Sequence, residues 1–480
     1  MTLHWHPIEV AVSLALAAGF ALVGDLVLGR RSRGVFLWNE SFLVGCAVSA
    51  AVLFPLSVLL PHAALDVLAV GLLVLAVTQA VRRSLRRAQT ESSPRAADAI
   101  REDLRSPLAW LLLGLTVLAW LAFVVLDLKD LLGWDGFQIW ATKAMVLVHE
   151  GGLRRELWEG GERSYRIGRV VAYPQLVPTF EGLLSVARGS FGFGAVKPIF
   201  IVFFTSLLVS TYRASGGLTS SPTRLAAPML VALLPMISTG TAAGGYADMP
   251  LAAYLAAVIA ALVADQEVRT PWRDPAPWLI GSLTLVKSEG IVLVAVASVA
   301  LLSRPLLAGW RTLRGFLCGR WRGILVIALL VALRLAYVRW VHVQDPEFTV
   351  LGLAAATRAL ARVPAVVWLS ALEMLNLPKW GLLWPSVVVA GAILLFAGGA
   401  RERVLVFGSS LAVAAYSSIF LWTNWELELH FDNAYDRLLS QVAPAAVLVV
   451  VCAFEGLRRR VAAGGRKNGA GHSAREGIGE

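Results

Sequence analysis

The sequence predicts an all-α, polytopic helical membrane protein with about 13 transmembrane helices. Hydrophobic residues make up 57% of its 480 positions and charged residues only 16%, a balance that excludes an ordinary soluble protein. Many separate apolar runs have the length of a membrane-spanning helix, and a lipid-exposed backbone must satisfy its own hydrogen bonds. The net charge of +11 does not indicate nucleic-acid binding, because most arginines flank the apolar runs in short clusters.

Arginine clusters predict the orientation of the N-terminal part of the chain. The first apolar run, 8–28, precedes a basic stretch that begins at Arg30, so the positive-inside rule places this end in the cytoplasm and the N-terminus outside. The runs 41–60 and 63–81 then lead to the arginine-rich loop 82–106, which the same rule also places in the cytoplasm.

A larger membrane domain is expected over residues 107–457. Its first span, 107–126, leads outward to a long external segment with membrane-surface helices, 127–194. Further spans are expected at 195–213, 225–241, 323–340, 380–399, 403–422 and 437–455, in the run after Asp248, and in the broken run from Pro277 to Leu302. Between them, 356–377 is predicted to be an amphipathic external helix and 425–436 an external loop.

The C-terminal residues 458–480 begin with three arginines and become Gly-rich and polar after Ala462. They predict a disordered, basic cytoplasmic tail. The sequence therefore predicts a multi-pass protein of the inner (plasma) membrane, with its N-terminus outside and its C-terminus in the cytoplasm.

Asp135 opens the external segment, directly after an apolar run. Apolar residues recur at helical spacing over 136–149, which predicts an interfacial helix with Trp134 and Trp140 as belt aromatics. Asp135 would lie in its first turn, either as a helix cap or as a functional carboxylate. Lys143 is a second candidate, although a lysine on such a helix commonly extends its amine to water.

Further polar groups are predicted on the same side of the membrane. Asp248 begins one span, Lys287 and Glu289 interrupt another apolar run, and Arg437 opens the last span. Each also has a structural interpretation: Asp248 as a cap, Lys287 with Glu289 as a local ion pair, and Arg437 as a topology or headgroup residue. Their convergence on one side favours a functional site, because charges within apolar runs are costly in lipid.

Four short motifs carry a resemblance to a known group. They are Trp134-Asp135 with Ile139-Trp140 and Lys143-Ala144, Tyr173-Pro174 with Leu176 and Pro178, Gly245-Tyr246-Ala247-Asp248 with Pro250-Leu251, and Lys287 with Glu289-Gly290. Over about residues 107–445, their order and spacing resemble bacterial membrane glycosyltransferases of the GT-C superfamily. The resemblance is to the family 39-like proteins, relatives of protein O-mannosyltransferases and of the enzyme that adds aminoarabinose to lipid A.

The resemblance implies a GT-C-like catalytic core with interfacial periplasmic helices. It maps the catalytic aspartate of the first external loop to Asp135, a second external acid to Asp248, and a charged break between two short helices to Lys287 and Glu289. Two features depart from the family. Many relatives have Asp-Glu where this chain has Asp135-Gly136, and the three spans within 1–106 are an addition to the usual core.

An external active site has no access to cytoplasmic sugar nucleotides, so the expected donor is a sugar on polyprenyl phosphate. A hydroxyl of a lipid, glycan or protein would accept the sugar with inversion, and Asp135 would take the hydroxyl proton as general base. Lys287 and Arg437 would stabilise the departing phosphate. Asp248 and Glu289 would orient these groups. Lys143 and Tyr173 are further candidates for substrate binding.

A divalent metal ion is a possible cofactor, with Asp135, Asp248 or Glu289 as ligands. The sequence also leaves other functions open. A transporter or flippase of lipid-linked or small anionic substrates uses broken helices and membrane charges too. A polysaccharide polymerase or ligase would likewise transfer sugars at the external face.

Overall fold

A computed structural model of the chain describes residues 7–29, 35–86, 104–154, 172–220, 222–263, 273–341 and 353–473. This part of the chain is built from helices and contains no β-strand. The α-helices are α1 (Pro7–Val27), α2 (Val35–Leu59), α3 (Ala64–Arg86), α4 (Pro107–Lys129), α5 (Thr142–Glu150), α6 (Leu176–Arg188), α7 (Pro198–Gly216), α8 (Ala226–Leu233), α9 (Asp248–Val263), α10 (Pro275–Val286), α11 (Gly290–Leu307), α12 (Trp310–Val341), α13 (Leu353–Met374), α14 (Leu377–Trp380), α15 (Leu383–Ala397), α16 (Ala400–Ile419) and α17 (Leu427–Ser473). Short π-helical turns at Gly136–Ala141 and Met236–Ala242 and a 3-10 turn at Thr223–Leu225 complete the set.

Eight helices of the described chain are long and apolar enough to cross a membrane, or nine if the bent pair Thr223–Leu233 and Met236–Ala242 forms one span. Four apolar helices, α9, α10, α11 and α15, are shorter. Large apolar side chains such as Trp110, Leu118 and Val125 of α4 are exposed, as expected of a helix that faces lipid. The architecture is that of a multi-pass helical membrane protein, and the figure of thirteen crossings stays a prediction.

Contacts divide the helix ends into two groups on opposite sides of the molecule. On α17, Arg437 contacts Asp248 at the start of α9, whereas Glu455 contacts Ser220 after α7. At roughly 1.5 Å per residue these two positions of α17 lie about 27 Å apart, close to the thickness of the hydrocarbon core of a bilayer. The end near Glu455 carries the arginines 458–460, so the packing separates a basic end from the end with Asp248, and which end faces the cytoplasm stays a prediction. The basic stretch from Arg30 and most of the loop 82–106 lie outside the described residues.

The three N-terminal helices pack tightly against the larger domain. The Tyr254 hydroxyl of α9 donates to the carbonyl of Leu43 at 2.6 Å, and Asn39 Nδ2 of α2 donates to Ser210 Oγ of α7 at 2.8 Å. Phe54 of α2 lies edge-on to Tyr337 of α12, with ring centres 5.4 Å apart. All three contacts are made by α2, which therefore packs directly against α7, α9 and α12 of the larger domain.

The structure differs from the sequence-based prediction at helix α13. Leu353–Met374 is long and apolar enough to cross a membrane, whereas the sequence predicted an external amphipathic helix over 356–377. The charged residues Arg358 and Arg362 lie near its beginning, and the rest of the helix exposes apolar side chains such as Val367 and Trp368. Glu373 lies in its last turn, and charges toward the two ends of a helix are compatible with a span, because the ends can lie at the membrane surface.

The last helix also differs from the prediction at both ends. It begins at Leu427, so most of the loop predicted at 425–436 is helical and Arg437 lies well inside the helix. At its other end the helix continues to Ser473, where disorder was predicted after Ala462. Arginine, alanine and lysine favour a helix, and they extend it past the apolar segment despite the glycines.

Candidate functional site

Asp248 is the centre of a buried ionic cluster at the end opposite the arginines 458–460. Its Oδ1 accepts hydrogen bonds from Lys287 Nζ at 2.7 Å and from Gln441 Nε2 at 2.6 Å. Its Oδ2 accepts from Arg437 Nε at 3.2 Å and Nη2 at 3.0 Å. The Asp248 side chain is fully buried, and these bonds from two other parts of the chain, the α10–α11 break and α17, compensate for its desolvation.

Arg437 connects Asp248 to the first external segment. Its Nη1 lies 2.6 Å from Asp135 Oδ2, and its guanidinium lies 4.6 Å from the centre of the Tyr246 ring. Asp436 beside it accepts a hydrogen bond from Lys379 Nζ at 2.8 Å. The last helix thus holds the two candidate carboxylates, Asp135 and Asp248, through one guanidinium.

Gly136 allows the first external segment to reach this cluster. The Gly133 amide donates to the carbonyl of Gly244 at 2.9 Å, which brings the two loops together. A Cβ at Gly136 would lie only 2.3 Å from that same carbonyl oxygen. The glycine after Asp135, one of the two departures from the family pattern, is therefore required by the close approach of the two backbones.

The break in the apolar run at Lys287 lies between α10 and α11, as predicted. Lys287 has an extended backbone and bonds to Asp248, and its Nζ also lies 3.1 Å from Glu289 Oε1. The chain turns tightly here, because a Cβ at Gly290 would lie 1.9 Å from the carbonyl oxygen of Leu283. The predicted local ion pair between Lys287 and Glu289 exists, and it is part of the larger cluster.

A second group of polar residues lies beside the Asp248 cluster. Lys143 Nζ is fully buried, donates to the carbonyl of Tyr173, and lies 5.0 Å from the centre of the Tyr337 ring. Burial and the neighbouring Arg334 cation lower the pKa of Lys143 well below its usual value. Arg334 donates to Ser288 Oγ at 3.2 Å, and this contact joins the two groups because Ser288 lies between Lys287 and Glu289.

Arg334 is buried without an ion-pair partner among the described residues. It is 7% exposed, and it also donates to the carbonyl of Ala172 at 2.6 Å. Its Nη1 has no hydrogen-bond partner, and Glu289 attracts it only from beyond ion-pair contact. Two neighbouring buried donors, Trp140 Nε1 and Gln175 Nε2, also lack an acceptor. Unsatisfied buried donors are costly, and an anionic group placed among them would relieve that cost.

The structure brings together five of the seven residues singled out from sequence. Lys143 and Tyr173 lie in the adjacent group, linked to the others through Arg334 and Ser288. The five that share the ionic cluster are Asp135, Asp248, Lys287, Glu289 and Arg437.

Several residues of the site were missed in the sequence. Arg334 is a charge within the apolar span predicted at 323–340, so the rule that identified Lys287 applies to it equally. Gln441 lies one helical turn after Arg437 and therefore on the same face of α17. No pattern in the sequence singled out Tyr246 or Gln175 as site residues, although Tyr246 belongs to the Gly245–Asp248 motif and Gln175 lies between Pro174 and Leu176.

Three structural interpretations are wrong. The Asp135 side chain makes no capping hydrogen bond, because it pairs with Arg437 instead. Lys143 does not extend to water, since it is directed into the protein toward the carbonyl of Tyr173. Trp140 is fully buried against Tyr173 and is not a belt residue, whereas Trp134 is 74% exposed.

The carboxylates of the cluster do not form a metal site. No group of three or more His, Cys, Asp and Glu side chains in the described part of the chain could hold a metal ion. Asp135, Asp248 and Glu289 each face a cationic side chain and not one another. This donor set does not fit a divalent ion, which needs several oxygen ligands around one point.

Comparisons with family models, with curated proteins and with solved structures find no match to this chain.

Proposed function

We propose that the protein is a GT-C-like integral membrane glycosyltransferase. It moves a sugar from a polyprenyl-phosphate donor to a hydroxyl of a lipid, glycan or protein acceptor in the cell envelope. The observation that carries the proposal is a pair of features at one end of the apolar helices. A partly exposed carboxylate, Asp135, is held by Arg437, and beside this cluster a buried arginine, Arg334, has no ion-pair partner in the part of the chain that the structure describes.

The position of the cluster supports a lipid-linked donor. The arginines at the far end of α17 assign that end to the cytoplasm by the positive-inside rule, so the cluster faces the periplasmic or extracellular side. Sugar nucleotides are made in the cytoplasm and do not reach that side. A donor anchored in the bilayer by its polyprenyl chain presents its phosphate and sugar at the membrane surface on that side.

Asp135 is the general base in this proposal. The acceptor hydroxyl attacks the anomeric carbon, its proton passes to the Asp135 carboxylate, and the bond between the anomeric carbon and the phosphate oxygen breaks with its electron pair remaining on the phosphate. Attack from the side opposite the phosphate inverts the anomeric centre. Asp135 is 21% exposed and Asp248 fully buried, so of the two carboxylates held by Arg437, Asp135 is the one open to an acceptor. Asp248 holds Lys287 and Arg437 in place.

Arg334 is a better partner for the departing phosphate than Lys287 or Arg437, the cations expected from sequence. Lys287 contacts two carboxylates, Asp248 and Glu289, and Arg437 contacts Asp135 and Asp248. Three carboxylates already neutralise these two cations, and a phosphate would be repelled there. Arg334, with the Lys143 amine close by, would gain a charge-assisted hydrogen bond from a phosphate. Lys287 and Arg437 then act as positioning residues.

Reconstitution with a labelled donor tests the function. The purified protein is placed in vesicles that contain a polyprenyl-phosphate sugar labelled in the sugar, and hydroxyl acceptors are supplied on either side. Label that leaves the polyprenyl carrier for an acceptor is the expected result, and Asp135→Asn serves as the control. Movement of the intact donor between leaflets without transfer would contradict the proposal and favour a flippase. Growth of a glycan on the carrier itself would favour a polymerase.

A further inference from the structure

Two apolar cavities lie at the end of the helices opposite the candidate site. One has a volume of about 560 Å³ and is lined by α9, α11, α12, α16 and α17, from Val263 at the end of α9 to Leu255 two turns earlier. The other has a volume of about 570 Å³ and lies between α11 and α12, lined by residues such as Ser298, Ile327 and Ala328. The two volumes are nearly equal, and both fall within the range of about 300–1,000 Å³ that is usual for ligand pockets.

The two cavities meet at Arg320. Both are lined by Asp274, Ala276, Leu301, Phe316 and Arg320. Arg320 Nη1 lies 2.9 Å from Asp274 Oδ2, and its guanidinium lies 5.2 Å from the centre of the Phe316 ring. Asp274 is itself fixed, because its Oδ1 accepts a hydrogen bond from the Ala276 amide as the cap of α10. Arg320 is thus held at the junction of two apolar cavities with its side chain 38% exposed.

We propose that these cavities bind one anionic phospholipid of the leaflet at the basic end, with its phosphate on Arg320 and one acyl chain in each cavity. The walls are apolar, so in a bilayer they favour hydrocarbon over water. Only one nitrogen of the Arg320 guanidinium contacts Asp274, which leaves other N–H donors for a phosphate. Arg401 and Thr312 line the first cavity at the same end and add a second cation and a hydroxyl near the headgroup.

Two features select a two-chain lipid over a polyprenyl phosphate. A polyprenyl phosphate has one chain and would fill one cavity, leaving the other empty. The cationic junction also lies on the side opposite Asp135, where the proposed sugar donor has its phosphate. The phospholipid would therefore be a component that accompanies the protein in the membrane, and only the second of these two features rests on the proposed transferase activity.

Native mass spectrometry of the full-length protein in detergent tests the inference. The protein is incubated with dioleoyl phosphatidylglycerol, dioleoyl phosphatidylcholine or undecaprenyl phosphate, and the fraction with one bound lipid is measured. We expect one tightly held phosphatidylglycerol, with the other two lipids at least about tenfold weaker. Equal retention of phosphatidylcholine would overturn the headgroup assignment, and preference for undecaprenyl phosphate would overturn the assignment of two chains. These comparisons need no variant.

Variants then locate the lipid. Arg320→Gln should weaken phosphatidylglycerol binding about tenfold, whereas Arg322→Gln, an exposed arginine of the same helix that lines neither cavity, should leave it unchanged. Ala300→Phe fills the first cavity and Ala328→Phe the second, and neither alanine is buried. Each should weaken binding of the two-chain lipid, whereas a single-chain lysophosphatidylglycerol should lose binding only in the double variant. If either single variant left phosphatidylglycerol binding unchanged, only one cavity would hold an acyl chain, and the proposal would be contradicted.

Discussion

Arg437 Nη1 lies 2.6 Å from Asp135 Oδ2, so the last long helix holds the carboxylate of the first external segment. The same guanidinium contacts the buried Asp248 at 3.0 Å. One arginine therefore fixes an accessible carboxylate relative to an inaccessible one, and the two carboxylates should respond differently to substitution.

Asp135→Asn should cut sugar transfer by about 10²–10⁴-fold, because a neutral amide cannot take the proton of the acceptor hydroxyl. Donor binding should survive, since the phosphate contacts proposed for Arg334 are untouched. Initial rates and donor affinity, measured separately in detergent or vesicles, provide the comparison. The side-chain shape is kept, so a large loss of rate reports on the charge.

Glu289→Gln is the matched control, because Glu289 is the other carboxylate of the cluster with a partly exposed side chain, 25% against 21% for Asp135. The proposal expects only a modest change in rate from it. If Glu289→Gln abolished sugar transfer and Asp135→Asn preserved it, the base would be Glu289. The role of Asp135 would then be limited to its ion pair.

Asp248→Asn should destabilise the protein far more than Asp135→Asn. Asp248 is fully buried and binds both Lys287 and Arg437, and removing one partner of a buried ionic group costs about 3–5 kcal/mol. The Asp135 side chain is 21% exposed and Arg437 keeps its second partner Asp248, so loss of the Asp135 charge should cost less. Thermal unfolding of both variants in one detergent measures the difference. If Asp248→Asn melted at the same temperature as Asp135→Asn and the parent protein, the cluster would not stabilise the helices.

Arg334→Gln should raise the dissociation constant for the polyprenyl-phosphate donor by at least about tenfold, the usual scale for a charge-assisted hydrogen bond to phosphate. Arg339→Gln removes an exposed arginine from the same helix and should have no such effect. Since the Arg334 guanidinium is buried without an ion pair, its removal should leave stability unchanged or improve it. A variant that binds donor normally but unfolds readily would identify Arg334 as a structural residue.

Donor affinity should also depend on pH through Lys143. Burial and the Arg334 cation lower the pKa of Lys143 well below its usual value, and a bound phosphate would raise it again. Binding then takes up a proton, so affinity is greatest at low pH and falls as the pH rises between the free and the bound pKa of Lys143. Lys143→Met should remove this dependence, because the phosphodiester of the donor stays singly ionised over this pH range. Identical pH profiles for the two proteins would exclude Lys143 from the phosphate site.

The sequence predicts the class of fold and most of the ionic cluster because both follow from the cost of charge in lipid. The break at Lys287 and the acid at the head of α9 are visible as polar residues in apolar runs. Arg334 obeys the same rule but is one arginine in a chain rich in arginine, and the positive-inside rule accounts equally well for an arginine near a helix end. Its burial and missing partner are properties of the packing alone.

Other features depend on which elements lie next to each other, and a single sequence does not contain that information. Gly136 is required by the carbonyl of Gly244, and Trp140 is buried by Tyr173, in each case through a partner distant in sequence. Helical spacing over 136–149 predicted the helix correctly. It did not distinguish a helix that lies on the membrane from one that is covered by other helices.

The orientation of the chain gives the last prediction. Residues 127–194 and 425–436 should face the outside, and 82–106 and 458–480 the cytoplasm. Leu131 and Val461 lie in regions of opposite predicted orientation and have similar exposed fractions, 83% and 77%. The native Cys46, Cys318 and Cys452 are first replaced by alanine. In permeabilised cells, a cysteine at either position should then react with a thiol reagent at a comparable rate.

An impermeant thiol reagent added to intact cells should therefore label Leu131→Cys and spare Val461→Cys, because only the first faces outward in the predicted topology. Ser92→Cys in the basic loop should behave as Val461→Cys does. Permeabilisation should then expose all three to the reagent, which controls for buried or unfolded thiols. Labelling of Val461→Cys and Ser92→Cys from outside would place Asp135 and Arg334 on the cytoplasmic side. Sugar nucleotides would then be available to the site, and the argument for a lipid-linked donor would fail.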